Sequence, residues 1–348
     1  MEKRKEKRRS LRSILLLLLL SAIILLSSSY AWFTSNQTVA VKDLEVNVTT
    51  SSGLQISADG NVWSALLDKN ALTAAATTYS TTLRNQLPTA LAPVSTIGAV
   101  DTSTGLMNMY LGSTSANTEG KYVLTAEKEV EGAGMTTAGH YLAFDMFLKV
   151  ESTTQVYLGV GSGVTPKTGN VKGLENAARI AFIVQGYQPA GTDLTIIQNQ
   201  KGGTSSIIWE PNYDAHTPAA ISHAIGTYGA TLADFGQSTM PDKDITCDQI
   251  SYDGIKAEIT SGNAVEVGKA NETNAATYFS TVSPKIKTTK AWTGSADGQA
   301  QELFTLQAGI TKVRVYCWVE GQDYDCGDNA SGQDIVFNLQ ITKEAPTT

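Results

Sequence analysis

Histidine, cysteine and charge are all scarce in this chain. His140, His216 and His223 are its three histidines, spread over 348 residues. No HExxH zinc motif, GxSxG elbow or P-loop occurs. The familiar constellations of zinc peptidases, serine hydrolases and nucleotide hydrolases are therefore absent. Charged residues make up 17% of the chain, and beyond the first 13 residues no long run of one sign is found. The net charge of −7 argues against nucleic acid and anionic lipid as partners. No second apolar run follows the first, and the chain ends Glu344-Ala345-Pro346-Thr347-Thr348 without a sortase-type signal.

The N-terminus holds what the rest lacks. Lys3, Arg4, Lys5, Lys7, Arg8, Arg9 and Arg12 stand against Glu2 and Glu6. An apolar run from Ile14 to Leu26 follows, then Ser27–Ser29 and Tyr30-Ala31-Trp32-Phe33. Basic, apolar and small-residue parts in that order are the layout of a secretion signal. The basic end stays in the cytoplasm, so the bulk of the chain is placed outside. Ser29 and Ala31 fit a small-x-small rule with the cut after Ala31. The run is shorter than the roughly 20 residues that span a bilayer, which favours a cleaved signal. An uncleaved anchor through residues 14–33 is the alternative. Removing residues 1–31 takes away seven basic and two acidic side chains and turns the net −7 into −12.

Beyond the leader, alternation with a period of two dominates. Leu44, Val46 and Val48 share one face. So do Leu142, Phe144, Met146, Leu148 and Val150, then Val156, Leu158 and Val160. Val313, Val315, Cys317 and Val319 alternate with Arg314, Tyr316 and Trp318. Ile335, Phe337, Leu339 and Ile341 close the series. Ile180–Val184 is apolar throughout, as in a strand buried on both faces. The expected fold class is all-β: an antiparallel β-sandwich with loop-rich insertions and a few short helices, preceded by the hydrophobic N-terminal helix. Residues 1–31 form the signal peptide or anchor. Residues 32–348 form one extracellular domain with an insertion around 64–118. Short helices are expected near Leu66–Leu72 and Thr81–Leu87, and an amphipathic one over 219–234.

Export permits disulfides. The expected bridge is Cys247–Cys326 with Cys317 buried, and Cys317–Cys326 across a hairpin is the rival. Glu320, Asp323, Asp325 and Asp328 crowd one C-terminal turn, a calcium candidate because hard cations take oxygen ligands. The plainer expectation is a turn whose side chains cap backbone donors. Trp209 and Asn212 offer a stacking ring and an amide for a glycan, with Trp292 as a second ring. Trp209 as a core plug is the plainer expectation. A zinc site on His216, His223 and Asp214 would make the chain a metal-dependent peptidase or hydrolase. Pro218 stands between the two histidines and disfavours one helix carrying both.

Tyr30-Ala31-Trp32-Phe33-Thr34-Ser35-Asn36 resembles the signal region of camelysin/TasA-type exported proteins of Gram-positive bacteria. YLAFDMFLKV (141–150), ENAARIAFIV (175–184), IWEPNYDAHT (208–217) and WVEGQDYDC (318–326) resemble runs in a recurrent group of firmicute exported proteins. The resemblance implies a SipW-like signal peptidase cutting in the context Ser29-Tyr30-Ala31. It also implies a jelly-roll-like sandwich and a structural or adhesive role at the cell surface or in the biofilm matrix. TasA-type relatives assemble through an N-terminal strand that completes the next subunit's sheet, which maps here to Thr38–Val48. Pairing of that strand within its own subunit is the simpler expectation. Camelysin relatives were classed as metallopeptidases, and without a zinc motif that activity is not carried over. The partners so implied are a signal peptidase, further copies of the chain and other surface proteins.

Overall fold

The computed structural model describes residues 39–48, 53–79, 83–120, 122–159, 161–167, 171–247, 253–266, 275–282, 285–286, 302–327, 330 and 332–343. The leader, the cut at Ser29 and Ala31, Asp328 and Trp292 lie outside them. Among the described residues no helix is long and apolar enough to cross a membrane.

The protein is mostly β, with several sheets and a few short helices. The principal strands are β1 (Val39–Val48), β2 (Gln55–Ser57), β3 (Leu66–Asp68), β4 (Met109–Ala116), β5 (Tyr122–Glu129), β6 (Leu142–Val150) and β7 (Thr154–Leu158). They continue with β8 (Gly163–Pro166), β9 (Ala178–Gln188), β10 (Ile207–Trp209), β11 (Glu302–Leu306), β12 (Gly309–Val319) and β13 (Ile335–Thr342). A seven-stranded sheet runs β11-β7-β13-β1-β3, with β8 also on β13 and Ala90–Leu91 also on β1. A six-stranded sheet runs β2-β6-β12-β9-β10 and ends on Lys285–Ile286.

Period-two alternation explains how these sheets share a core. Side chains of successive residues point to opposite faces. Leu44, Val46, Phe337 and Leu339 of the first sheet join Phe144, Met146, Ile180, Phe182, Val313 and Val315 of the second in one buried cluster. Each such side chain contributes about 1.5–3 kcal/mol by leaving water. The expected apolar faces of β1, β6, β12 and β13 all lie in this cluster. The two-faced reading of Ile180–Val184 holds as well: Ala181 and Ile183 enter a second cluster with Tyr316, Trp318, Val94 and Met109. The six-stranded sheet is thus covered on its outer side too, and every residue of β12 is buried.

Four expectations need correction. Pairing is not wholly antiparallel: β1 runs parallel to β13, from Val41 opposite Ile335 to Val48 opposite Ile341, and β10 runs parallel to Lys285–Ile286. The 64–118 stretch is more than loops. β3 pairs with β1, and Val94–Ser95 with β4, β5 and Val265–Glu266 makes a four-stranded sheet. Its first helix begins late, at Lys69, because Leu66–Asp68 is drawn into that pairing and the Asp68 carboxylate accepts from Ala71 N at 2.8 Å. Leu83–Leu87 is not helical, since Gln86 bridges to Ala143 instead, while Thr81 lies outside the described residues.

The helix expected over 219–234 forms as Pro218–Tyr228 followed by a 3-10 turn at Leu232–Phe235. Thr217 caps it, Pro218 fills its first turn where no N–H is needed, and Gly229 ends it at φ 69°. Ile221 and Ala224 pack on Phe235.

Candidate functional site

Two buried nests of charge sit on the outer face of the six-stranded sheet. The first is built around Arg179, which β9 points away from the core because its neighbours Ala178 and Ile180 point in. Its side chain is 1% exposed, so its charge has to be met by protein. Arg179 Nε lies 3.1 Å from Glu210 Oε1, Nη2 pairs with Asp323, and Nη1 donates to the carbonyls of Asn176 at 2.8 Å and Ala178 at 2.9 Å.

The acidic turn after β12 closes on this nest. Asp323 Oδ1 accepts from Asp325 N at 2.8 Å. Asp325 Oδ2 lies 2.8 Å from His216 Nδ1, and Oδ1 accepts from Thr217 N at 3.2 Å and Asn176 Nδ2 at 3.3 Å. Glu320 accepts from Trp318 Nε1 at 3.2 Å and Gln322 N at 3.1 Å. Burial pushes the Glu320 carboxyl up to about 7. Burial likewise lifts Asp325 to about 6, with His216 acting against it. Burial pulls His216 down, but the bond to Asp325 outweighs it and leaves the imidazole raised.

These contacts place the sequence candidates. Glu320, Asp323 and Asp325 come together as the turn reading expects, with their oxygens turned to protein donors. Asp328 lies outside the described residues. His216 belongs to this nest, whereas His223 lies on the Pro218–Tyr228 helix, where burial lowers its pKa to about 4. Asp214 contributes its backbone carbonyl to Cys247 N at 2.7 Å. Among the described residues no three His, Cys, Asp or Glu side chains are gathered as a metal ion would require.

Trp209 is a correction to the glycan reading. It is 1% exposed within the main core, so no ligand can stack on its ring. Asn212 Nδ2 is spent on the carbonyls of Val164 and Glu175, each at 3.1 Å. The disulfide expectation is corrected too. All three thiols are buried and free. Cys317 and Cys326 lie in the main core, while Cys247 Sγ donates to the Asp234 carbonyl at 3.5 Å. Burial raises the Cys317 and Cys326 thiols far above their ordinary value.

The second nest was not legible as a site. Asp145 of β6 and Arg314 of β12 are register partners, joined at 2.8 Å. Arg314 also pairs with Glu131, and Nη2 donates to the Arg84 carbonyl at 2.6 Å. Lys312 Nζ lies 3.1 Å from Asp145 and donates to the Gln198 carbonyl at 2.7 Å. Tyr79 donates its hydroxyl proton to Asp145 Oδ2 at 2.7 Å. Burial alone would raise Asp145, yet Lys312 and Arg314 outweigh it and hold the carboxyl at about 2. A cavity of about 390 Å³ opens beside this pair. Arg179, Asp145 and Arg314 are each a lone charge among apolar neighbours, a pattern that does not by itself name their partners.

The fold and these nests define a predominantly β protein whose covered second sheet carries paired charges at its centre. No protein-family model, curated protein or solved structure matches the chain.

Proposed function

We propose that the chain is an exported structural or adhesive protein of the cell surface or extracellular matrix, built on a jelly-roll-like sandwich. One observation carries this reading most directly. β1 starts at Val39, eight positions after the expected cut at Ala31, and takes a central place between β13 and β3. A secretion leader therefore hands over to the middle of the sheet with a short spacer, whether the leader is cut or kept as an anchor. The resemblance of Tyr30–Asn36 to camelysin/TasA-type signal regions supports the same reading.

β1 pairs with β13 and β3 of the same chain. A matrix fibre built through this strand would require subunits to exchange it. Fractionation of the producing cells, with mass spectrometry of the N-terminus and electron microscopy of the purified chain, tests the proposal. Recovery outside the cytoplasm with a new N-terminus at Trp32, or with the leader intact in the membrane fraction, is the expected result. Recovery in the cytoplasm with an intact leader overturns it. Fibres would assign a matrix role, and dispersed particles an adhesive one. A metal-dependent hydrolase reading gains no support from the separate settings of His216 and His223. A binding-module reading, moved away from Trp209, is favoured by the cavity.

A further inference from the structure

The cavity beside Arg314 and Asp145 has a charged floor and an open rim. Asp145, Gln185, Lys312 and Arg314 line its floor and are buried. Ala133, Asn199 and Lys201 line its rim and are exposed. Its volume of about 390 Å³ lies in the range of small-ligand pockets, about 300–1,000 Å³.

The charge of the lining is opposite to that of the chain. Arg84, Lys201, Lys312 and Arg314 line the cavity, while Asp145 and the Arg314-bound Glu131 supply two carboxylates. Two positive charges are left in excess in a chain whose net charge is −7. A cleft of one sign with low-dielectric walls concentrates its field on an entering ion of the opposite sign.

Gln200 adds an independent sign of a ligand. Gln200 lines the cavity, and its Nε2 and Oε1 are buried beside it with no hydrogen-bond partner. Buried amides are normally satisfied, so an unmet one calls for an explanation. The backbone makes room for it: at Gly186, φ 146°, a Cβ would stand 2.3 Å from Gln200 Oε1. Thr104, Gln185 and Asn199 add further donors and acceptors along the wall.

We propose that this cavity binds a small anion that also carries hydroxyl groups, a carboxylate or phosphate on a sugar or polyol. The cations meet the anionic group from the floor and rim. Thr104, Gln185 and Asn199 meet the hydroxyls from the wall, joined by the Gln200 amide once it turns from its buried position. The anion site does not rest on the surface reading. Only its natural source does, an acidic polysaccharide or a polyol-phosphate polymer of the envelope.

Titration calorimetry on the full chain tests this with D-glucuronate, sn-glycerol 3-phosphate, inorganic phosphate and D-glucose. One or both organic anions should bind one to one, more tightly than inorganic phosphate, and glucose should not bind. Glucuronate alone points to acidic polysaccharide, and glycerol phosphate alone to polyol phosphate. Lys201→Gln on the exposed rim and Gln200→Ala should each weaken binding several-fold, with thermal unfolding showing the fold intact. The proposal is overturned if neither organic anion binds, if inorganic phosphate binds as well as both, or if folded Lys201→Gln and Gln200→Ala bind undiminished. Cytoplasmic recovery in the fractionation would leave these titrations unaffected, so failure of the two proposals can be told apart.

Discussion

Arg314 and Asp145 face each other on neighbouring strands, joined at 2.8 Å, with side chains 2% and 3% exposed. A buried pair of this kind is costly to break from one side, because the other charge is left without compensation. Asp145→Asn should destabilise the protein by about 3–5 kcal/mol, since Lys312 loses the same partner. Arg314→Met should cost a similar amount. The double variant Asp145→Asn/Arg314→Met should cost less than the two singles added together. Urea unfolding of the four proteins checks this, and strict additivity would refute the coupling.

The depressed Asp145 carboxyl also sets an acid limit. Its stabilisation is present above the ordinary value of 3.8 and is lost as pH falls through about 2. Glu320 behaves in the opposite sense. Its carboxyl is raised from 4.5 to about 7, so the folded state binds the extra proton. Stability from this group is full below pH 4.5 and declines as pH rises through 7. Over that window the loss amounts to roughly 3 kcal/mol, at about 1.4 kcal/mol per unit. Glu320→Gln should flatten this decline. A pH series of urea midpoints for the wild type and the variant is the measurement, and parallel curves would count against it.

The three thiols give a chemical prediction. Iodoacetamide should leave Cys247, Cys317 and Cys326 unmodified in the folded protein. All three should react in denaturant without a reductant. Mass spectrometry of the tryptic peptides reads the result, and a Cys247–Cys326 or Cys317–Cys326 cross-linked peptide would refute it.

Two glycines should respond in opposite ways. At Gly309, φ 132°, a Cβ would stand 2.4 Å from the Gln188 carbonyl oxygen. Gly309→Ala should therefore destabilise by about 2 kcal/mol or more, since both the backbone and the space resist it. Gly226 lies in the Pro218–Tyr228 helix with nothing within 4 Å. Gly226→Ala should stabilise by about 0.5–1 kcal/mol. Thermal unfolding separates the two by sign.

The alternation of β6, β12 and β13 was legible because side-chain period and core face coincide there. The second cover of the six-stranded sheet was only half legible. Ile180–Val184 announces a strand apolar on both faces, but Arg314 stands only as a residue alternating with the apolar face of β12, and Lys312 is not marked at all. What buries them is remote in sequence: Tyr79, Glu131 and the Gln198 carbonyl. Local pattern carries no trace of such a cover. The acidic turn was legible as a turn, because Asp and Glu side chains near strand ends cap backbone donors. Its partner Arg179 was not, since the pairing spans 144 positions. The parallel joining of β1 to β13 was invisible for the same reason.

That joining has a mechanical meaning. β1 and β13 run in the same direction, so the start of one and the end of the other lie at opposite ends of the pair. A pull applied upstream of Val39 and downstream of Thr342 slides the two strands lengthwise. The seven register pairs from Val41–Ile335 to Val48–Ile341 then bear the load together instead of opening one after another. Force along the chain is thus met in shear, the direction in which a β-ladder yields last.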